Sequence, residues 1–266
     1  MLRDITLGQY YQADSIIHRL DPRVKLIGTF AYIIALFVSK NVWGYLIATI
    51  FLVGVIKLSK VPVKFMLKGM KAIAFLIVIT VAFNLFLTPG EAWISIWKLT
   101  ITKEGAKTAG TMALRLAYLI VGSSVMTLTT TPNQLTDALE SVLGPLKKLK
   151  VPVHEIAMMM SIALRFIPIL MDETDKIMKA QIARGASFDS GSIIQRAKSL
   201  IPLLVPLFIS AFRRANDLAM AMEARCYQGG EKRTKMKPLK YVRTDYIVYI
   251  ILVIFFAGMI ATRYIH

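Results

Sequence analysis

The chain has 266 residues, of which 56% are hydrophobic, and Lys and Arg exceed Asp and Glu by a formal net charge of +17. Soluble domains average about 45–50% apolar residues, and the excess here is concentrated in blocks that carry almost no charge, as membrane spans do. A basic nucleic-acid-binding protein is excluded, because such proteins carry basic patches on a polar chain. We therefore expect an all-α, polytopic membrane protein that sits in a lipid bilayer and binds no nucleic acid.

The apolar blocks predict about five transmembrane helices. The first two are short, because 15 residues cover only about 22 Å against a hydrocarbon core of about 30 Å. The predicted spans are residues 24–38, 42–56, 65–87, 109–130 and 246–263. They suggest an N-terminal membrane part (1–130), a region of long cytoplasmic helices (131–243) and a C-terminal span (244–266).

Residues 151–212 are ambiguous. The run 151–170 is apolar enough for a sixth span, but Arg165 at a bilayer centre would cost about 2.5–3.5 kcal/mol. The apolar run 199–212 is too short to cross the membrane and contains Pro202 and Pro206. We interpret both runs as helices lying partly in or under the cytoplasmic face, with a re-entrant hairpin as the alternative.

The distribution of cations predicts the orientation. Residues 131–243 hold 18 Lys and Arg against 10 Asp and Glu. The segment between the second and third spans holds five lysines and no acidic residue, namely Lys57, Lys60, Lys64, Lys68 and Lys71. Since cytoplasmic loops are enriched in Lys and Arg, both segments and the N-terminus are predicted to be cytoplasmic, and the C-terminus external.

The sequence gives little support for catalysis or for a bound cofactor. There is no phosphate-binding G-x-x-x-x-G-K-[ST] motif, and Cys226 is the only cysteine, so no disulfide within the chain and no cysteine-based metal site can form. The acidic cluster at 172–175 is typical of a solvated helix face. Arg115 is the main ionisable residue inside a span, and we interpret it as a snorkelling or helix-pairing residue rather than part of a transport path.

Two similar helix ends carry the most specific signal. Ala183-Arg184-Gly185 and Ala224-Arg225-Cys226 each follow apolar or small residues at a spacing of three. Arginine near a helix C-terminus complements the helix dipole, which would explain one instance. A matched pair predicts two exposed bidentate cations that fit two matched sockets on other proteins.

This pair, behind four N-terminal spans and ahead of a last one, resembles the transmembrane T component of energy-coupling factor transporters, and "HRLDPRVKL" at 18–26 resembles the start of that family. The resemblance implies a non-catalytic subunit without a cofactor. It would join two ABC-type ATPases to a substrate-binding membrane S component for vitamin or micronutrient uptake. Arg184 and Arg225, with Ala183, Gly185, Ala224 and Cys226, would then dock the ATPases. A self-sufficient secondary transporter and a lipid-modifying membrane enzyme remain alternatives.

Overall fold

The computed structural model describes residues 10–39, 41–89, 92–96, 99–186, 188, 192–229, 236 and 238–264. Its helices are α1 (Ile16–Arg19), α2 (Pro22–Val38), α3 (Val42–Ser59), α4 (Val63–Leu87), α5 (Lys103–Thr129), α6 (Pro132–Val142), α7 (Val153–Ala183), α8 (Ile193–Ser199), α9 (Ile201–Ala224) and α10 (Arg243–Tyr264), with a 3₁₀ helix at Gly144–Leu149. The predicted all-α class is confirmed, with one small exception.

That exception is a short antiparallel hairpin, β1 (Ala92–Ile96) with β2 (Leu99–Thr102). Ile96 pairs with Leu99, and the register shifts between Ala92 and Ile94. The sequence analysis did not predict these strands. The signal was present, because the segment alternates β-branched and polar residues between two apolar blocks.

The chain divides into two compact units. The core unit comprises Gly8–Ala138 and Leu239–His266, and the α7–α9 unit contains Leu139–Pro238. The segments predicted above at 1–130, 131–243 and 244–266 remain a prediction, because compactness alone does not define their borders.

The core unit is held together by α2, α3, α5 and α10 around one apolar cluster. Its buried members are Tyr32, Ala35, Leu36, Ala48, Leu52, Phe255 and Met259. The rings of Phe51 and Phe255 stack with centroids 4.3 Å apart. Gly122 of α5 faces Tyr32 so closely that a Cβ there would lie 2.5 Å from the ring. Small and large residues therefore interlock across these helices.

A polar clasp (Asp21, Arg23, Lys25 and Asp245) joins the start of α2 to the start of α10. The buried Asp245 carboxylate accepts hydrogen bonds from the backbone N–H groups of Asp21 (3.0 Å) and Val242 (2.7 Å). The Lys25 ammonium donates to the carbonyls of His18 (3.0 Å) and Thr129 (2.9 Å). The motif "HRLDPRVKL" thus closes the unit between the first and last long helices.

Within the clasp, Arg23 pairs with Asp21 at 2.8 Å and stacks over the Tyr241 ring, 3.9 Å from its centroid. Burial alone would raise the pKa of the Asp21 carboxyl, but the hydrogen bonds and charge of Arg23 outweigh it and hold that pKa below its ordinary value.

Arg115 pairs two helices, as the sequence suggested. Its guanidinium donates to the carbonyl of Ser39, the residue that ends α2, at 3.1 Å. A cation at this position complements the negative end of the α2 dipole.

Four helices are long and apolar enough to cross a membrane: α3, α5, α7 and α10. A fifth span arises if α4, which bends by 60° between Lys71 and Ile73, crosses as one broken helix. The multi-pass prediction is confirmed, but the membership differs from our expectation. α2 has only 17 residues, whereas α7 runs for 31 residues through Pro168.

Candidate functional site: two exposed arginine-tipped helices

Both predicted site arginines cap the helices on which the sequence placed them. α7 ends at Ala183 with Arg184 as its C-cap, and α9 ends at Ala224 with Arg225 as its C-cap. Alanine is the best helix former, so the chain stays helical up to each arginine. The next residue, Gly185 or Cys226, then adopts a left-handed conformation with φ of +89° or +56°.

The two helix ends close with the same hydrogen bonds. After α7, the N–H of Gly185 donates to Ile182 O (2.9 Å) and that of Ala186 to Gln181 O (3.0 Å). After α9, the N–H of Cys226 donates to Glu223 O (2.8 Å) and that of Tyr227 to Met222 O (3.1 Å). Both are Schellman motifs. The Gly185/Cys226 difference therefore leaves the backbone geometry of the two tips matched.

All six motif residues, Ala183 to Gly185 and Ala224 to Cys226, are exposed to solvent. Neither arginine makes an ion pair within the part of the chain that the structure describes. Each tip thus offers a guanidinium, with its fixed fork of N–H donors, beside residues small enough for close backbone approach. This arrangement suits a carboxylate or a set of carbonyls on another protein.

α7 and α9 contact each other and run in opposite directions. The carboxylate of Glu173 pairs with Arg214 at 2.5 Å, and the amide of Gln181 donates to the Pro202 carbonyl at 3.2 Å. Moving toward the end of α7 therefore means moving toward the start of α9. The two arginine tips lie at opposite ends of the helix pair.

The Glu173–Arg214 ion pair lies at the same distance along the chain from both tips. Glu173 precedes Arg184 by 11 residues, and Arg214 precedes Arg225 by 11 residues. At 1.5 Å per residue each interval is about 16 Å, so the tips are separated by roughly 30 Å along the pair. Ser210 donates a further hydrogen bond to Glu173.

Sequence reasoning missed this ion pair. It interpreted Asp172, Glu173 and Asp175 as one solvated face, whereas Glu173 faces α9. The equal spacing from the two arginines was the signal that could have identified it. No group of three or more potential metal-ligating residues occurs in the described ranges.

The α9 surface exposes two apolar rows at a spacing of four residues. The rows are Ile201, Val205 and Ile209, and Leu204, Phe208 and Phe212. Side chains four apart lie on one helix face, so the rows form a continuous apolar surface. Met159, Met160 and Met220 are also exposed, on α7 and α9. Such surfaces mark contacts with other proteins or with lipid.

Comparison with known proteins agrees with this architecture. Residues 13–236 match the family described as cobalt transport protein, CbiQ. An energy-coupling factor transporter transmembrane protein EcfT of Ruminiclostridium cellulolyticum is 55% identical over 265 residues, 100% of this chain and 99% of the relative.

Proteins of the same name are 52% identical in Thermosediminibacter oceani and 46% identical in Bacillus subtilis, each over 264 residues, 99% of this chain and 100% of the relative. With its long apolar helices and this similarity over its whole length, the chain belongs to the EcfT transmembrane components of energy-coupling factor transporters, within the CbiQ family.

Proposed function

We propose that this protein is the scaffold and coupling subunit of its transporter, with Arg184 and Arg225 each docking into one of two ABC-type ATPases. The observation that carries the proposal is the pair of exposed arginine tips, closed by the same backbone hydrogen bonds at opposite ends of one helix pair. A single partner could be bound through one arginine tip. Two tips of the same geometry are therefore more easily explained by two similar partners.

The spacing of the tips supports separate partners. A separation of roughly 30 Å is about the diameter of a small domain, so each tip reaches its own socket. The Glu173–Arg214 pair ties the two helices together between the tips. A displacement of one docked end is therefore passed to the other helix instead of being absorbed by a loose joint. ATP-driven closure of the ATPase pair would move both helices at once.

The apolar rows of α9 are the proposed docking surface for a membrane-embedded S component that captures a vitamin or other micronutrient. Ile201, Val205 and Phe208 are exposed on this helix, and such a partner would cover them. A surface built from branched and aromatic side chains, flanked by exposed methionines, adapts to partners that change position.

The chain itself is proposed to be non-catalytic, with its N-terminus and residues 131–243 in the cytoplasm. The excess of Lys and Arg in that region supports this orientation. The ATP-binding and hydrolysing residues would belong to the ATPases.

A self-sufficient secondary transporter is less well supported. The core unit has an apolar cavity of about 90 Å³ bordered by Tyr32, Gly122 and Leu252. Among the described residues, Lys25 is the only charged one that lines this cavity, and its ammonium already donates to two backbone carbonyls. The lining is otherwise mostly apolar, which suits a hydrophilic nutrient poorly.

Charge reversal tests the docking proposal. Arg184→Glu and Arg225→Glu should each leave membrane insertion intact but sharply lower ATPase co-purification and nutrient uptake, because truncating a buried charged contact costs about 2–5 kcal/mol. Arg213→Glu is the matched control, since Arg213 is exposed on α9 and lies 12 residues before Arg225. Normal ATPase stoichiometry and uptake in both tip variants would disprove the docking role.

Cysteine cross-linking tests the second interface separately. Cysteines at Val205 or Phe208 should cross-link to the S component, whereas cysteines on the exposed face of α2, such as Phe30, should not. Cross-links confined to residues 26–87 would contradict the proposed surface on α9.

A further inference from the structure

The segment Leu143–Lys150, between α6 and α7, has an exposed leucine face. It contains the 3₁₀ helix Gly144–Leu149. A 3₁₀ helix has three residues per turn, so side chains three apart eclipse one another. Leu143, Leu146 and Leu149 are therefore aligned, and all three are exposed, Leu149 at 75%. The leucines therefore form an aligned row on the surface of the segment.

Lysines flank this leucine face. Lys147, Lys148 and Lys150 occupy the other two faces and are all exposed. Residues 141–154 contain no Asp or Glu, and none of the three lysines belongs to an ion pair among the described residues. The acidic residues on either side of this stretch are Glu140, which contacts His154 at 2.9 Å, and the exposed Glu155. The segment thus carries three uncompensated positive charges beside an apolar row.

We propose that Leu143–Lys150 anchors the chain to the anionic lipid surface of the membrane, with the leucines at the acyl boundary and the lysines on phosphate headgroups. Leucines on one face and lysines on the others are the composition of an interfacial, lipid-binding segment. Lysine fits phosphate as a point charge, without the planar fork that a protein carboxylate socket favours.

The position in the chain also favours lipid. Lys150 lies three residues before Val153, where the long apolar helix α7 begins, and three residues span at most about 10 Å. The apolar first part of α7, up to residue 170, is the run that we interpret as lying partly in or under the cytoplasmic face of the membrane. The segment therefore stays within reach of the bilayer surface.

A fluorescent probe on the full-length chain tests the proposal. Cys226 is the only cysteine and has a positive φ, so Cys226→Gly gives a background free of cysteine that keeps the helix closure. Leu149→Cys in this background is labelled with an environment-sensitive dye. The protein is reconstituted in phosphatidylcholine nanodiscs with or without phosphatidylglycerol, and quenching by nitroxide-labelled lipids is measured.

We expect strong quenching with phosphatidylglycerol and weak quenching without it. The ratio of inserted to free segment should fall about fivefold for each Lys→Gln substitution at Lys147, Lys148 or Lys150. The matched Lys→Arg variants keep the charge and should keep the quenching. High salt should reduce it, because the screening length shortens.

Two results would overturn the proposal. Quenching that does not depend on phosphatidylglycerol, salt or the lysines would show that charge recognition of lipid plays no part. Shielding of the dye only after ATPases or an S component are added, without lipid quenching, would identify the leucine row as a protein interface. Neither result bears on Arg184 and Arg225, so the proposed function is tested independently.

Discussion

The core unit and the α7–α9 unit differ in how many of their apolar and charged side chains are buried or paired within the unit. In the core unit, buried apolar side chains of α2, α3 and α10 pack together against partly buried ones of α5, and the charged groups of the polar clasp find partners within the unit. In the described part of the α7–α9 unit, only Val153, Ala157 and Leu203 are buried hydrophobic residues. That unit keeps its large apolar side chains and both motif arginines exposed.

The difference shows how far each unit builds a packed interior of its own. The core unit has a buried apolar centre, and it exposes further large apolar side chains, such as Phe30 and Phe75, which a bilayer would cover. A pair of helices that leaves most of its apolar surface uncovered depends on lipid or on other proteins. The following changes test this contrast, from the largest expected effect to the smallest.

Asp245→Ala should give the largest loss of stability. The substitution removes a carboxylate that is 1% exposed and leaves the backbone N–H groups of Asp21 and Val242 without their acceptor. Hydrogen bonds to a charged group contribute about 1.5–3 kcal/mol each, so we expect a total loss of about 3 kcal/mol. Thermal unfolding of the detergent-solubilised chain would measure it. The control, Asp172→Ala on the exposed side of α7, should change stability by less than about 0.5 kcal/mol.

Gly122→Ala should be the next most damaging change. The new methyl group would lie 2.5 Å from the Tyr32 ring, which is buried and would have to shift out of its packed position. Overpacking of this kind costs about 1–3 kcal/mol. Gly54→Ala is the matched control, because a Cβ at that helical position meets nothing within 4 Å. It should instead raise stability by about 0.5–1 kcal/mol. Equal effects of the two substitutions on the unfolding temperature would contradict the interlocked packing.

Substitutions at the two positive-φ residues that close α7 and α9 should change the stability of these helix ends in opposite directions. Gly185→Ala places a Cβ on a residue with φ of +89°, which costs about 1–2 kcal/mol, while Cys226→Gly relieves a similar strain at φ of +56°. Hydrogen exchange at the last turns of α7 and α9 should become faster in the first variant and slower in the second. If the amide exchange rates change in the same way in both variants, the left-handed conformations of Gly185 and Cys226 do not determine the stability of these helix ends.

The smallest energetic effect is expected at Glu173 and Arg214. Their side chains are 28% and 39% exposed, so a double-mutant cycle should give only a weak coupling between them. In the proposed function this pair connects α7 to α9, so its loss should affect nutrient uptake more than it affects stability. Glu173→Arg and Arg214→Glu should each lower uptake without loss of ATPase binding, and the double reversal should restore it. Failure of the double variant to recover would mean that the ion pair does not connect the two helices functionally.

Local signals predicted much of this architecture. The apolar blocks located the long helices, and alanine followed by arginine and a residue able to adopt positive φ located both helix ends. Helix lengths were less certain, because α7 continues beyond the apolar run 151–170 to Ala183 as one helix. Contacts between distant residues, such as Glu173 with Arg214 or Asp21 with Asp245, were not predicted, since each depends on how helices pack. Whether Arg184 and Arg225 meet ATPases depends on proteins outside this chain and stays a prediction.

The equal intervals on either side of the Glu173–Arg214 contact have a mechanical consequence. If that contact serves as a fulcrum, the two helix segments beyond it are arms of the same length, about 16 Å each. A turn of 10° about the fulcrum would sweep each end through roughly 3 Å, in balanced strokes. Inserting one residue between the fulcrum and either end would lengthen that arm, and deleting one would shorten it. Either change would also rotate the arginine by about 100° around the helix axis. Such a change would unbalance the strokes while leaving every motif residue intact.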